Sequence, residues 1–201
     1  MNRKLVESHC LRSAVNKCGL ILRCERVVDR FQKTVVWADQ NDVETVVLQS
    51  IEGTATEDFP SSPPIQQLHT QDINGAPVML GVGMAGRGHW SASISLQDEN
   101  GTSLLFQYAA NVRGEPGWLG CSWSLANGMS AKRNDQTSEL VLSGSQLAAV
   151  AFTIRPHMPV GCGTDFKHAD KINGIVLQPN LNSKSVRPVC WDYEIRVVNG
   201  R

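Results

Sequence analysis

The chain lacks the long apolar runs, the charge imbalance and the repeats that would assign it to several large functional classes. Nowhere do about 18 apolar residues follow one another, the length a membrane helix needs, so no bilayer span is expected. Behind the early cations Arg3 and Lys4 there is no apolar stretch of about seven residues. The N-terminus therefore does not read as a secretory signal, and the cytoplasm is the expected compartment. Lys and Arg total 19 and Asp and Glu total 19, which leaves no electrostatic footprint. Nucleic acid and anionic membranes are accordingly not expected as partners. No repeat of about 20 to 50 residues is present, which excludes propellers and solenoids. A P-loop and a serine nucleophile elbow are missing as well.

What is present is alternation. Trp90, Ala92, Ile94 and Leu96 share one parity against Ser91, Ser93 and Ser95. Leu119, Cys121, Trp123 and Leu125 alternate with Gly120, Ser122 and Ser124, and Val189, Trp191, Tyr193, Ile195 and Val197 with Asp192, Glu194 and Arg196. A period of two marks strands buried on one face. Further strands are read at 20–24, 27–31, 34–37, 43–51, 104–110, 140–142 and 147–154, with Asn100-Gly101 supplying the positive φ of a hairpin. One-sided strands bury their apolar face on a second sheet. The expected fold is an all-β antiparallel sandwich of two packed sheets and about ten strands, with one or two short helices.

Residues 1–17 read as an N-terminal segment, loose or forming a short helix around Leu5 to Val15, and 18–201 as a single sandwich domain. The stretch 54–64 contains Pro60, Pro63 and Pro64 and reads as a long surface connection. Ser62 and Pro63 could start one helical turn through Leu68. Met129 to Ser138 is polar and reads as loose.

Residues 81–86 spell G-x-G-x-x-G directly after an apolar run. A dinucleotide site requires the third glycine to open a helix, whereas here a strand follows. The glycines instead suit a bend or bulge where another backbone comes close, and no cofactor is expected. Arg87, Gly88, His89 and Trp90 place a cation, an imidazole and an indole beside this turn. Backbone N–H groups of a glycine turn can cradle an anion, with Arg87 adding a bidentate contact. Gly83, Gly86, Arg87, Gly88 and His89, together with Trp118 on the off-core parity of its strand, are therefore the candidate ligand-binding residues. The competing expectation is that Trp90, Trp123 and Trp191 simply fill the core and Arg87 stands in solvent.

Other chemistry is less well supported. Cys121 precedes Ser122 on a strand, so it lacks the helix terminus that activates a thiol, and a buried cysteine is expected. Cys10, Cys18, Cys24, Cys162 and Cys190 complete the set and are expected as thiols in a reducing compartment. His157, Cys162, His168 and Asp170 are ligand types that suit zinc, but their spacing matches no compact template. Glu52, Glu57 and Asp58 could form a carboxylate pair for hydrolysis, which sequence alone cannot place.

Three segments carry a resemblance: Ser62 to Leu68, Gly83 to Ser93 and Pro116 to Gly120. Over residues 45 to 125 the chain resembles a family of uncharacterised bacterial proteins of the planctomycete type. That resemblance implies a bacterial origin and a recurring motif set, and it brings no activity or cofactor. The function read from the residues is a non-catalytic module binding a small molecule or a protein. The alternatives are a hydrolase using loop carboxylates or a cryptic metal, and a homo-oligomeric structural protein built on sandwich edge strands.

Overall fold

The computed structural model describes residues 7–134, 136–137, 139–147, 150–157, 164–169, 173–179 and 188–199, with 146, 164–169 and 199 described for their backbone alone. Fifteen strands follow in order: β1 Ser8–Leu11, β2 Gly19–Val27, β3 Arg30–Ala38, β4 Glu44–Ser50, β5 Gln67–Ile73, β6 Ala76–Ala85, β7 Gly88–Leu96, β8 Ser103–Asn111, β9 Cys121–Leu125, β10 Met129–Asn134, β11 Glu139–Gly144, β12 Val150–Pro156, β13 Thr164–Ala169, β14 Gly174–Pro179 and β15 Val189–Asn199. A seven-stranded sheet has the order β1-β2-β3-β4-β9-β14-β13, and an eight-stranded sheet β10-β11-β12-β15-β8-β7-β6-β5. All the pairings are antiparallel. The molecule is the expected antiparallel β-sandwich.

One apolar cluster fills the space between the sheets. Leu20, Leu22, Phe31, Val35, Trp37 and Trp123 enter it from the first sheet, and Trp90, Ile94, Phe106, Tyr108, Trp191 and Tyr193 from the second. The second sheet contributes a run of rings, with Phe106 stacked on Tyr193 at 5.0 Å and Tyr108 on Trp191 at 5.5 Å. Trp123 meets Phe106 edge-on at 5.7 Å and donates its Nε1–H to the Tyr193 hydroxyl at 3.1 Å. That bond gives the buried indole N–H an acceptor and joins the two sheets.

The only helix among the described residues is a single 3-10 turn at Ser145–Leu147. Four expectations are corrected. Residues 8–11, expected to be loose or to form a short helix, pair with β2, because a free partner edge outweighs loose helical periodicity. The supposed strand 27–31 contains a hairpin turn at Val28-Asp29, with Val28 at φ 61° and Val27 paired to Arg30. Met129 to Asn134, read as loose, is the strand at the sheet edge, where one-sided burial is not required and polar residues are at home.

The fourth correction concerns the proline-rich connection. It leaves β4 in one sheet, enters β5 in the other, and is buried rather than superficial at Pro60 and from Ser62 to Ile65. No helical turn forms there. Proline has no N–H, so prolines can be enclosed with fewer donors left to satisfy. The remaining groups find partners on both sheets. The Phe31 N–H donates to the Ile65 carbonyl at 2.8 Å, the Gln66 N–H to the Val82 carbonyl at 2.9 Å and the Ser122 N–H to the Ser61 carbonyl at 2.9 Å. Buried Arg30 grips the start of the crossing, donating to the carbonyls of Glu52 and Thr54 and to both carboxylate oxygens of Asp29.

Candidate functional site

The glycines of 81–86 are divided between two roles. Gly81 and Gly83 lie inside β6 on its inward parity, and a Cβ on Gly83 would stand 1.6 Å from the Pro64 carbonyl oxygen. On Gly81 it would meet Ile65 Cγ2 at 2.5 Å. The close backbone that these glycines admit is therefore the chain's own proline crossing. Gly86, at φ 52°, and Arg87 form the two-residue turn between Ala85 and Gly88. Glycine at the first central position with positive φ is what a tight hairpin favours. Gly88 is pressed against the Trp90 ring, where a Cβ would sit at 2.5 Å. Trp90 itself is core.

The opposite, outward parity of β6 faces a groove. Val82 and Met84 are 51% and 49% exposed, a large fraction for apolar side chains in the body of a central strand. With Gln67, His89, Ser91, Ala109, Asn111 and Pro188 they line a hollow of about 470 Å³. This hollow shares Gln67, Val82, Ser91 and Ala109 with one of about 800 Å³, which continues to His69, Ser93, Gln107, His157 and Asp192. At the other end it shares His89 and Asn111 with a notch of about 460 Å³ completed by Arg87 and Arg113. The three form one trough on the outer face of the eight-stranded sheet. Along β7 it runs from the hairpin tip to Ser93, a length of roughly 20 Å at the rise of a strand.

The trough is polarised. His89 pairs with Asn111 at the end of the β7–β8 ladder, and Arg87 and Arg113, each two residues beyond it, line the same notch. Both guanidinium groups are exposed, and neither is ion-paired to a carboxylate among the described residues. Like charges set in one notch repel, and an anion between them turns that repulsion into attraction. The far end carries Asp192, whose carboxyl is held above the usual carboxylate range by burial, with a nearby His157 opposing the shift. Between the ends, besides the imidazoles of His69 and His89, lie amides of Gln67, Gln107 and Asn111 and hydroxyls of Ser91 and Ser93. Hydroxyls and side-chain amides both donate and accept hydrogen bonds, and Val82, Met84 and Leu80 supply an apolar strip beside them.

Of the residues singled out in the sequence, the structure gathers Gly83, Arg87 and His89 along the trough. Gly86 shapes the turn, and Gly88 packs on Trp90. Trp118 is half-buried with its ring against Gly120, and it is not among the lining residues. Cys24 and Cys121 are buried, and burial pushes both thiols up to about 12, which leaves them un-ionised. Glu52 points inward and pairs with Lys33, away from any cleft. Asp58 is exposed beside Gly86. Among the metal-ligand candidates, Cys162 and Asp170 lie outside the described residues, His168 is described in backbone only, and His157 lines the trough. Among the described residues no three His, Cys, Asp or Glu are grouped so as to hold a metal.

Arg113 and Asn111 escaped the sequence reading, although a signal existed. The Asn100-Gly101 hairpin sets Leu96 opposite Leu104, and that register carried along the pair brings His89 to Asn111, with Arg87 and Arg113 each two residues further on. The sequence matches no protein-family model and no curated protein.

Proposed function

We propose that the protein is a non-catalytic binding module whose ligand lies along the outer trough with an anionic group on Arg87 and Arg113. The observation that carries this reading is the pair of exposed arginines, neither ion-paired among the described residues, at the end of a partly apolar groove. A lone exposed arginine is ordinary, but two lining one notch beside His89 and Asn111 suit an anion gripped between guanidinium groups. The neutral amides and hydroxyls beyond it suit an elongated polar ligand held by hydrogen bonds, while Val82 and Met84 take its apolar side. The reading places the module in the cytoplasm, with which the free thiols of Cys24 and Cys121 are consistent.

A thermal-shift screen of elongated carboxylates and phosphates tests this reading. Binders should raise the melting temperature of the wild type and leave the Arg87→Ala, Arg113→Ala double variant unmoved, its own melting temperature being unchanged without ligand. Equal shifts in both proteins, or a double variant that fails to fold, would place the ligand elsewhere and make the arginines structural.

A further inference from the structure

Lys33 lies on the inward parity of β3, between Phe31 and Val35, and is 2% exposed. Its Nζ stands 2.7 Å from Glu52 Oε1, and Glu52 is 9% exposed. The surroundings satisfy this ion pair poorly. An ammonium has three protons to donate, and Lys33 finds only Glu52 and, at 3.4 Å, the Phe31 carbonyl. Glu52 Oε1 also accepts from the Ser50 hydroxyl, which in turn accepts from the Lys33 backbone N–H at 2.7 Å. Glu52 Oε2 is buried with no partner. Cys24, opposite Lys33 on β2, is un-ionised and offers no counter-charge. Buried charges held with incomplete hydrogen bonding are expensive.

An amide linking the two side chains would remove each of these deficits. It has one N–H, for which the Phe31 carbonyl is at hand, and one carbonyl, for which the Ser50 hydroxyl is at hand. The oxygen with no partner is the one that condensation expels. We propose that Lys33 and Glu52 condense in the folded protein to an intramolecular amide between Nζ and Cδ, a cross-link from β3 to the start of the proline crossing. The ammonium gives up a proton to the carboxylate, leaving an amine and a carboxylic acid whose proton sits on Oε2, the oxygen not held by Ser50. The amine lone pair then attacks Cδ, forming the N–C bond, while the Ser50 hydroxyl stabilises the oxygen that stays. The C–O bond to the other oxygen breaks, and it departs as water with two of the three ammonium protons. One water leaves, one amide forms, and no oxidant or external reagent is consumed.

Intact-mass measurement on the purified, folded full chain tests the proposal. The expected mass is one water below that of the sequence. Trypsin should then fail to cut after Lys33, yielding residues 31–87 as one peptide lighter by one water. Further digestion with a glutamate-specific protease should leave residues 31–44 and 45–57 joined through the two side chains. Lys33→Met should show its full sequence mass. A wild-type chain at full mass that trypsin cleaves after Lys33 would overturn the proposal, whether or not the variant folds.

Discussion

The two faces of β6 differ in what they meet. Inward, Gly81 and Gly83 are closed over by Pro64 and Ile65 of the chain's own crossing, so tightly that no side chain fits. Outward, one residue further along, Val82 and Met84 remain half in water along the trough. The run of glycines looked like a ligand site because glycine admits a close backbone. It does admit one, but intramolecularly, and the face we propose for a ligand is the opposite one, where Val82 and Met84 stand. A glycine-rich strand thus presents two unlike faces, one closed by the chain itself and one open to solvent.

Substituting each face in turn is the strongest way to break this comparison. Gly83→Ala sets a Cβ against a backbone carbonyl that is itself locked between the sheets, and equilibrium urea unfolding should show a loss of about 3 kcal/mol or more. Val82→Ala, next to it in sequence, should stay within about 0.5 kcal/mol of the wild type. Equal losses at both positions would mean that the outer face is also structural.

A smaller effect sharpens the comparison through two aspartates, one at each region. Beside the crossing, the hydrogen bond from Arg30 holds Asp29 below its usual range, against the opposing effect of burial. With the folded value below the unfolded one, the unfolded chain binds the proton more readily. This contribution is present above the unfolded value and lost as pH falls through the folded one. In the trough, burial raises Asp192, so the sign reverses: its contribution is present below the unfolded value and lost as pH rises through the folded one. Asp29→Asn should therefore destabilise at neutral pH and make little difference in acid. Asp192→Asn should stabilise at neutral pH and likewise make little difference in acid. Melting temperatures across a pH series read both.

The elements that sequence revealed are those whose signal is local. Strands β7, β9 and β15 could be read because each keeps its apolar residues on one parity, and the β7–β8 hairpin because Asn100-Gly101 marks its turn. The crossing could not, because prolines at 60, 63 and 64 look the same whether a second sheet covers them or water does. Lys33 and Glu52 gave no sign of being interior, since two long charged side chains ordinarily lie outside. The place of β9 between β4 and β14 is likewise set by contacts far apart in sequence. For the trough, Arg87 and His89 were visible as a cation and an imidazole at a turn. Their partners Asn111 and Arg113 needed the strand register, and the open apolar strip needed knowledge of which parity the crossing fills.

We infer that the outward face of β6 to β8 receives an anionic ligand at the arginine pair. Amide chemical-shift mapping by NMR during titration with inorganic phosphate and with a long-chain dicarboxylate tests it most directly. Both probes should move the signals of Arg87, His89, Asn111 and Arg113, the dicarboxylate should extend the changes along β7 to Ser91 and Ser93, and Arg87→Ala with Arg113→Ala should abolish them. No perturbation at these residues, or changes centred on Gly83's inner neighbours Pro64 and Ile65, would contradict the claim.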